Sequence, residues 1–587
     1  MKKTIIRRST KCSTSHPQSA LPNTLHPILR RIYENRDIFD EKQLDKSISK
    51  LLPYHKLSSI GPATALLYQH MLSSSKIVVI GDFDADGATS TAIAVKCLRM
   101  FGAISVEFLV PNRFKYGYGL TPEIVNEAHR TLSPDLIITV DNGISSIDGV
   151  AKANNLNIDV LVTDHHLAGE QLPAARAIVN PNQADDQFES KNLAGVGVIF
   201  YVMLALRSLL REKRWFSEKQ IKEPNLATVL DIVALGTVAD VVPLDFNNRI
   251  LVNQGLKRIR AGYACPGIEA LIEVSQRTAS NLVASDMGFC LGPRLNAAGR
   301  LEDMSVGINC LLADNLAEAR HYAAQLDELN RTRKEIESQM QEEALHSLKV
   351  LHLESDSIPT GLCLYDPHWH QGIIGILASR IKDKYHRPVI VFADHEEGEI
   401  KGSARSIPNL HIRDILDSIA TKNPTLITKF GGHAMAAGLS IDKKNLTKFQ
   451  KCFNAEVESL IKPEYLDQIV YSDGEINEHE FSLELASLIQ QAEPWGQAFP
   501  EPVFDGKFQL VQQRIVGEKH LKLTLRPEAG QQDFDAIAFN TISQEESVSP
   551  YEIGDKLSAA FKLDINRFRG QENLQLLIEY LEPAIAE

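Results

Sequence analysis

Short apolar runs alternate with longer amphipathic stretches from Lys76 onward. The run KIVVIG at 76–81 reads as a strand, and the spacing predicts a helix over 86–100, a strand over 105–110 and a helix over 122–130. A strand over 136–140, a helix over 144–154 and a strand over 160–163 follow. Such alternation predicts a parallel sheet with helices on both faces, an α/β class domain. Over 316–350 apolar residues recur at Leu326, Leu329, Ile336, Met340, Ala344 and Leu348 on a charged background, the period of a helix. About 35 helical residues span ~52 Å, a strut between two domains; two shorter helices broken near Asn330 are the other reading. Strands over 361–366, 388–393 and 400–404 with a helix over 372–384 make a smaller α/β domain. Strands over 503–514, 520–525, 533–539, 556–562 and 574–579, joined by short turns, fit a C-terminal OB-type β barrel. The expected division is 1–54 (a segment with one helical candidate at 29–40), 55–312, a linker helix at 313–352, 353–462 and 463–587.

Composition narrows the class without naming an activity. The 587 residues are 44% hydrophobic and 23% charged, ordinary for a soluble globular chain. The apolar runs fall short of a membrane span. The start, MKKTIIRRST, is basic but is followed by no apolar core of an export signal, so a cytoplasmic location is expected. Seven cysteines without a CxxC spacing read as reduced thiols. A net charge of −13 argues against a surface coated in positive charge for duplex DNA, but leaves room for a locally basic channel.

The candidate chemistry follows the strands. KIVVIG runs into Asp82, Asp84 and Asp86, spaced two apart. In an extended chain these carboxylates point to one face, ~6.6 Å apart per step. At an effective dielectric of ~20 each adjacent ionised pair repels by about 2.5 kcal/mol, so the cluster calls for a hard cation such as Mg²⁺ or Mn²⁺; a solvated acidic loop is the alternative. LIITV ends in Asp141, VLVT ends in Asp164, His165 and His166, and ALGTVADVVPL carries Asp240 after a segment whose helix or strand character stays open. A lone Asp after a strand is commonly a turn former or cap. Four such sites on the carboxyl edge of one sheet are the inventory for two divalent ions sharing a ligand.

In order, GDFDADG, VDNG, TDHH and GTVAD resemble the four motifs of the DHH phosphoesterase superfamily, and the DxDxDG form of the first resembles its RecJ branch. KFGGHAMAAG at 429–438 is similar to the glycine-rich signature of the associated DHHA1 domain. The resemblance implies that Asp82, Asp84, Asp86, Asp141, His165 and Asp240 ligate two ions, Mn²⁺ or Mg²⁺, with Asp141 as bridge, and that His166 faces the substrate phosphate. It implies a parallel-sheet DHH domain, a DHHA1 domain and an OB domain acting as a single-strand-specific 5′→3′ DNA exonuclease in repair and recombination. Single-strand-binding protein and a helicase are the implied partners, and the expected state is a monomer with no membrane attachment. A relative acting on short RNA or cyclic dinucleotides, and a non-catalytic strand-binding scaffold, are the alternatives.

Substrate-side candidates stand outside the ligand set. They are Arg113 in PNRFKYGYGL, Arg294 and Arg300 with Asn296 in LGPRLNAAGR, Ser403 and Arg405 in KGSARS, and His433. In LGPRLNAAGR small residues let a phosphate approach the backbone. In the resembling family such positions grip strand phosphates, including a 5′-terminal one; taken singly, each is equally an ordinary surface charge. Arg567, Phe568 and Arg569 set an aromatic between cations at a barrel turn, a stacking site for a single strand. Trp369 reads as a base-stacking or a buried aromatic.

Overall fold

The computed structural model describes residues 3–8, 19–111, 119–355, 358–395, 398–517, 519–542 and 548–584. After β1 (Lys3–Arg7), strands β2 (Lys76–Gly81), β3 (Ser105–Leu109), β4 (Leu136–Val140), β5 (Asp159–Thr163) and β6 (Ala177–Val179) form an all-parallel sheet in the order β3-β2-β4-β5-β6. Alternation along β2 explains the layers. Ile77 and Val79 join the core beneath helices Ala85–Met100 and Gly195–Glu212, whereas Val78 and Ile80 face Ile124, Val125 and Val150 on helices Pro122–Leu132 and Ile147–Asn155. The order reverses between β2 and β4, the switch point where α/β sheets open a crevice beyond their strand ends. Gly81 pairs with Val140 and Val140 with Thr163, so the residues that follow all three strands emerge level.

Helix Leu316–Ser355 is continuous through Asn330. Buried Asn330 accepts from Arg333 Nη2 (2.6 Å), and Arg333 pairs with Glu337, which also meets Arg380 at 2.8 Å. Its 40 residues extend ~60 Å. The second domain carries β7 (Leu362–Tyr365), β8 (Val389–Asp394), β9 (Glu399–Arg405), β10 (Lys429–Gly432) and β11 (Ala436–Asp442) in the order β10-β11-β9-β8-β7, with only β7 and β8 parallel. Trp369 is buried and donates to Glu343 on the long helix (2.8 Å), so it welds domain to strut and takes no part in stacking a base. Then come β12 (Gln468–Ser472) and a closed barrel of β13 (Phe504–Val516), β14 (His520–Pro527), β15 (Phe534–Ala538), β16 (Lys556–Phe568) and β17 (Gln571–Pro583), ordered β13-β14-β15-β17-β16. No described helix is long and apolar enough to cross a membrane, and all six described cysteines are free.

The N-terminal segment is a strap. β1 pairs in parallel with β12, Lys3 opposite Gln468 through Arg7 opposite Ser472. The helix of this segment, Pro27–Glu34, ends earlier than 29–40 predicts. Arg36 pairs with Asp473 at 2.8 Å, both almost wholly buried, and also donates to Pro500 O. Tyr33, Lys46 and Arg249 surround the buried carboxylate of Glu493. Asp473→Ala strands a buried guanidinium and is expected to cost about 3 kcal/mol, read as a lower denaturant midpoint with an unchanged slope.

Candidate metal centre

The acidic motif leaves the sheet by a route the two-residue spacing does not anticipate. β2 ends at Gly81 and a helix begins at Ala85, so Asp82, Asp84 and Asp86 do not lie along one extended strand. Asp84 is the helix N-cap, its Oδ1 accepting from the Asp86 and Gly87 N–H groups at 3.0 Å. Asp86 lies in the first turn, aimed at a second helix start, where it accepts from Gly195 N (2.6 Å) and Val196 N (2.9 Å). Gly195 is obligatory there: a Cβ would lie 2.6 Å from Asp141 Cβ and 2.8 Å from its Oδ1. Asp141 follows β4 with φ 61°, a left-handed conformation that Asp tolerates better than most residues. Asp240 is the C-cap of helix Leu230–Ala239, which settles its segment as helical.

These residues meet. Ligand atoms of Asp82, Asp84 and Asp141 lie within 4.8 Å of one another, as do those of Asp86, His165 and Asp240. His165 Nε2 joins the trios, 3.1 Å from Asp141 Oδ1, 3.6 Å from Asp240 Oδ2 and 3.9 Å from Asp86 Oδ2. Although buried, His165 Nε2 and Asp240 Oδ2 make no hydrogen bond among the described residues. A carboxylate-rich donor set with one imidazole and two such atoms fits hard divalent ions, with the nitrogen favouring Mn²⁺.

Burial, then the neighbouring Asp84, raises Asp86 to about 7; burial and the other carboxylates, Asp86 foremost, raise Asp141 and Asp240 well above the usual range. Burial pushes His165 down to about 4, helped by His166. For His166 burial opposes the charge, but the hydrogen bond and charge of Asp164 outweigh it and raise the imidazole to about 9. Asp164 is no ligand here: it accepts from Ile144 N (2.9 Å), His165 N (2.7 Å) and His166 N (3.1 Å), and meets His166 Nδ1 at 2.8 Å. It sets both histidines.

The signs predict a pH response. A carboxyl raised on folding contributes most below its unfolded value and loses that contribution as pH rises through its folded one. A raised imidazole also loses its contribution with rising pH. His165, being lowered, acts in the opposite sense up to its unfolded value, but Asp86, Asp141, Asp240 and His166 outweigh it, so in chelator the melting temperature is expected to fall from pH 5 to pH 8, through the folded value of Asp86. Added Mn²⁺ reverses this, with a larger thermal shift at pH 8 than at pH 6 by scanning fluorimetry.

The substrate-side residues divide. Arg405 on β9 holds Ser403 Oγ (3.2 Å) and Ala404 O (2.8 Å) with no carboxylate partner among the described residues, and burial lowers its pKa. It abuts Gly375, where a Cβ would lie 3.1 Å from its Nη2, in the first turn of helix Ile374–Tyr385. His433 sits near enough to His166 for that charge, after burial, to lower its pKa. The second domain thus faces the acidic cluster. Arg300 Nη1 reaches across to Gly372 O (2.9 Å).

Three of the candidate side chains are already engaged within the fold. Arg294 is a brace, not a free cation, bound to Asp327 of the long helix and to the carbonyls of Cys290 and Val274. Asn296 points at the acidic loop, its Oδ1 accepting from Ala85 N (2.8 Å). Arg567 pairs with Glu572 at 2.8 Å. Arg113 lies outside the described residues. The cradle of Gly195 and Val196 escaped sequence reading; the small-residue start AGVG was its one trace.

Three family models match the chain: DHH family, N-terminal domain (76–237), DHHA1 domain (359–459) and RecJ OB domain (472–580). A single-stranded-DNA-specific exonuclease RecJ from Salmonella typhimurium is 54% identical over 566 residues, covering 96% of this chain and 97% of that protein. The crystal structure of RecJ in complex with Mn²⁺ from Thermus thermophilus superposes with TM-score 0.76 at 29% identity, covering 96% of this chain and 76% of that one. The same protein in complex with Mg²⁺ gives 0.70 at 27%, covering 96% and 75%.

Proposed function

This chain belongs to the family of RecJ single-stranded-DNA-specific exonucleases, and from that premise we propose that it releases 5′-mononucleotides stepwise from the 5′ end of single-stranded DNA. It is a metal-dependent exonuclease with Mn²⁺ or Mg²⁺ as cofactor. The observation that carries the reading is the meeting of Asp82, Asp84 and Asp141 with Asp86, His165 and Asp240 at the sheet's switch point.

Asp82, Asp84 and Asp141 would hold one ion and Asp86, His165 and Asp240 the other. Two such ions, when bound, activate water and neutralise the charge on the scissile phosphate. His166, its Nδ1 tied to Asp164, keeps a proton on Nε2 for a phosphate oxygen. Arg405 and Ser403, beside a helix start, take the 5′-phosphate, with Arg300 and His433 lining the approach. Segment 55–312 performs hydrolysis, 353–462 closes over the strand, and 463–587 captures DNA, with 313–352 as strut and 1–54 as strap. The protein works as a cytoplasmic monomer in repair and recombination, beside single-strand-binding protein and a helicase.

The test is degradation of 5′-labelled oligonucleotides with Mn²⁺. Labelled mononucleotide should appear from the single strand at once and be absent from a blunt duplex and from reactions with chelator. Internal cuts first, or equal attack on the duplex, would overturn the reading.

A further inference from the structure

Half of one face of the second domain's sheet lies bare. Ile400, Ala404, Ala437, Leu439 and Ile441 point into the core beneath helices Ile412–Lys422 and Leu446–Leu460. Lys401, Ser403 and Arg405 of β9, with Gly438 and Ser440 of β11, therefore point the other way. On that second face Val389, Val391 and Ala393 of β8 pack against Leu377, Ala378 and Ile381 of helix Ile374–Tyr385, but Lys429 and Gly431 of β10 and Gly438 of β11 stay exposed. A Cβ on Gly431 or on Gly438 would meet nothing within 4 Å.

Strand register orders this face into rows. Ala436 stands opposite Arg405, and its carbonyl accepts from His433 N (2.8 Å). Gly431 is opposite Gly438 and Gly438 opposite Ser403; Lys429 is opposite Ser440 and Ser440 opposite Lys401. The first row is the one nearest the metal centre, since the charge of His166 reaches His433. Each later row lies ~6.6 Å further away. A phosphate held at Arg405 and Ser403 thus has open backbone beside it and two lysines one row beyond, compact point charges on flexible stems that suit a phosphate group. The row after that, Asp442 opposite Glu399, is acidic and ends the path. Resting on the proposed 5′-phosphate site, we propose that this face is a subsite for a strand end bearing a 5′-triphosphate, with Lys401 and Lys429 binding the two outer phosphates. Hydrolysis keeps its course there. Water adds to the phosphorus of the second nucleotide, the 3′ oxygen of the first departs and takes a proton, and the first nucleotide leaves with its triphosphate intact. The shortened strand then carries an ordinary 5′-phosphate, so the subsite acts in the first turnover alone.

The experiment is single-turnover release of the first nucleotide by the full-length protein in excess Mn²⁺, from strands of one sequence ending in a 5′-monophosphate or a 5′-triphosphate. Wild type should release a nucleoside triphosphate from the second, identified by anion-exchange chromatography, and reach half-maximal rate at a lower protein concentration than on the first. Lys401→Ala with Lys429→Ala should raise that concentration on the order of 10²-fold for the triphosphate end, the scale of two charge-assisted contacts. For the monophosphate end it should stay unchanged, with maximal rate and melting temperature as in wild type. Lys401→Arg with Lys429→Arg should restore it. Inorganic tripolyphosphate should compete less well than a triphosphate-ended strand, which adds the contacts of its nucleotides; equal competition assigns the face to free polyphosphate and overturns the strand-end proposal. A triphosphate end that wild type leaves uncut or binds no better than the monophosphate end, or an equal loss on both ends in the double alanine variant, overturns the subsite while degradation of the monophosphate end leaves the exonuclease reading intact. If wild type cuts neither end, the exonuclease reading falls and the subsite with it.

Discussion

Asp141→Asn is expected to lower hydrolysis of single-stranded DNA by on the order of 10⁴-fold, the scale seen when one member of a catalytic unit is removed. The amide keeps the shape of the side chain and tolerates the left-handed backbone that position requires. It removes the charge of the one carboxylate that belongs to the Asp82 trio and also lies 3.1 Å from His165 of the other. Strand affinity in chelator should be unchanged. The same substitution relieves repulsion from Asp86, Asp84, Asp240 and Asp82, so the metal-free variant should melt no lower than wild type. Loss of turnover without loss of fold or affinity, measured by single-turnover kinetics beside binding and melting curves, distinguishes a bridging ligand from a structural residue.

Gly299→Ala is the second large effect, and it acts from a distance. A Cβ there would lie 1.7 Å from the carbonyl oxygen of Phe83, between Asp82 and Asp84, and 3.0 Å from Met304 Cε. Asn296, one turn earlier on the same helix face, holds Ala85 N. The helix Gly292–Leu301 therefore supports the acidic loop from behind, and backbone cannot yield as a flexible side chain would. Overpacking is expected to cost about 1–3 kcal/mol. A shift of the loop by ~1 Å should lower kcat about 10²-fold and weaken Mn²⁺ binding. Gly61→Ala, where nothing lies within 4 Å, should leave all three quantities unchanged.

The contrast between these glycines and their surroundings shows where sequence reading succeeds. Strands buried on both faces write their limits as apolar runs, so β4 falls at the expected residues and its neighbours within one or two. Asp141 and Asp164 were legible because a strand end is also a place in space. The geometry of Asp82, Asp84 and Asp86 was not, since an N-cap in the middle of the motif converts an extended spacing into a turn and the first coil of a helix. The helix before Asp240 carries no 3.6-residue stripe because its residues from Leu230 to Thr237 are all buried. The partner of Arg294 was not legible because a charge carries no record of its partner, and Asp327 arrives from the next structural unit. The pairing of β1 with β12 joins nearly opposite ends of the chain, and no local pattern encodes it.

We propose that acidic groups from distant motifs assemble one two-ion centre. Anomalous diffraction at the manganese edge from crystals grown with Mn²⁺ tests it most directly. Two peaks about 3.5–4 Å apart are expected, one among Asp82, Asp84 and Asp141 and the other among Asp86, His165 and Asp240. A single peak, or peaks away from Asp141, would contradict it.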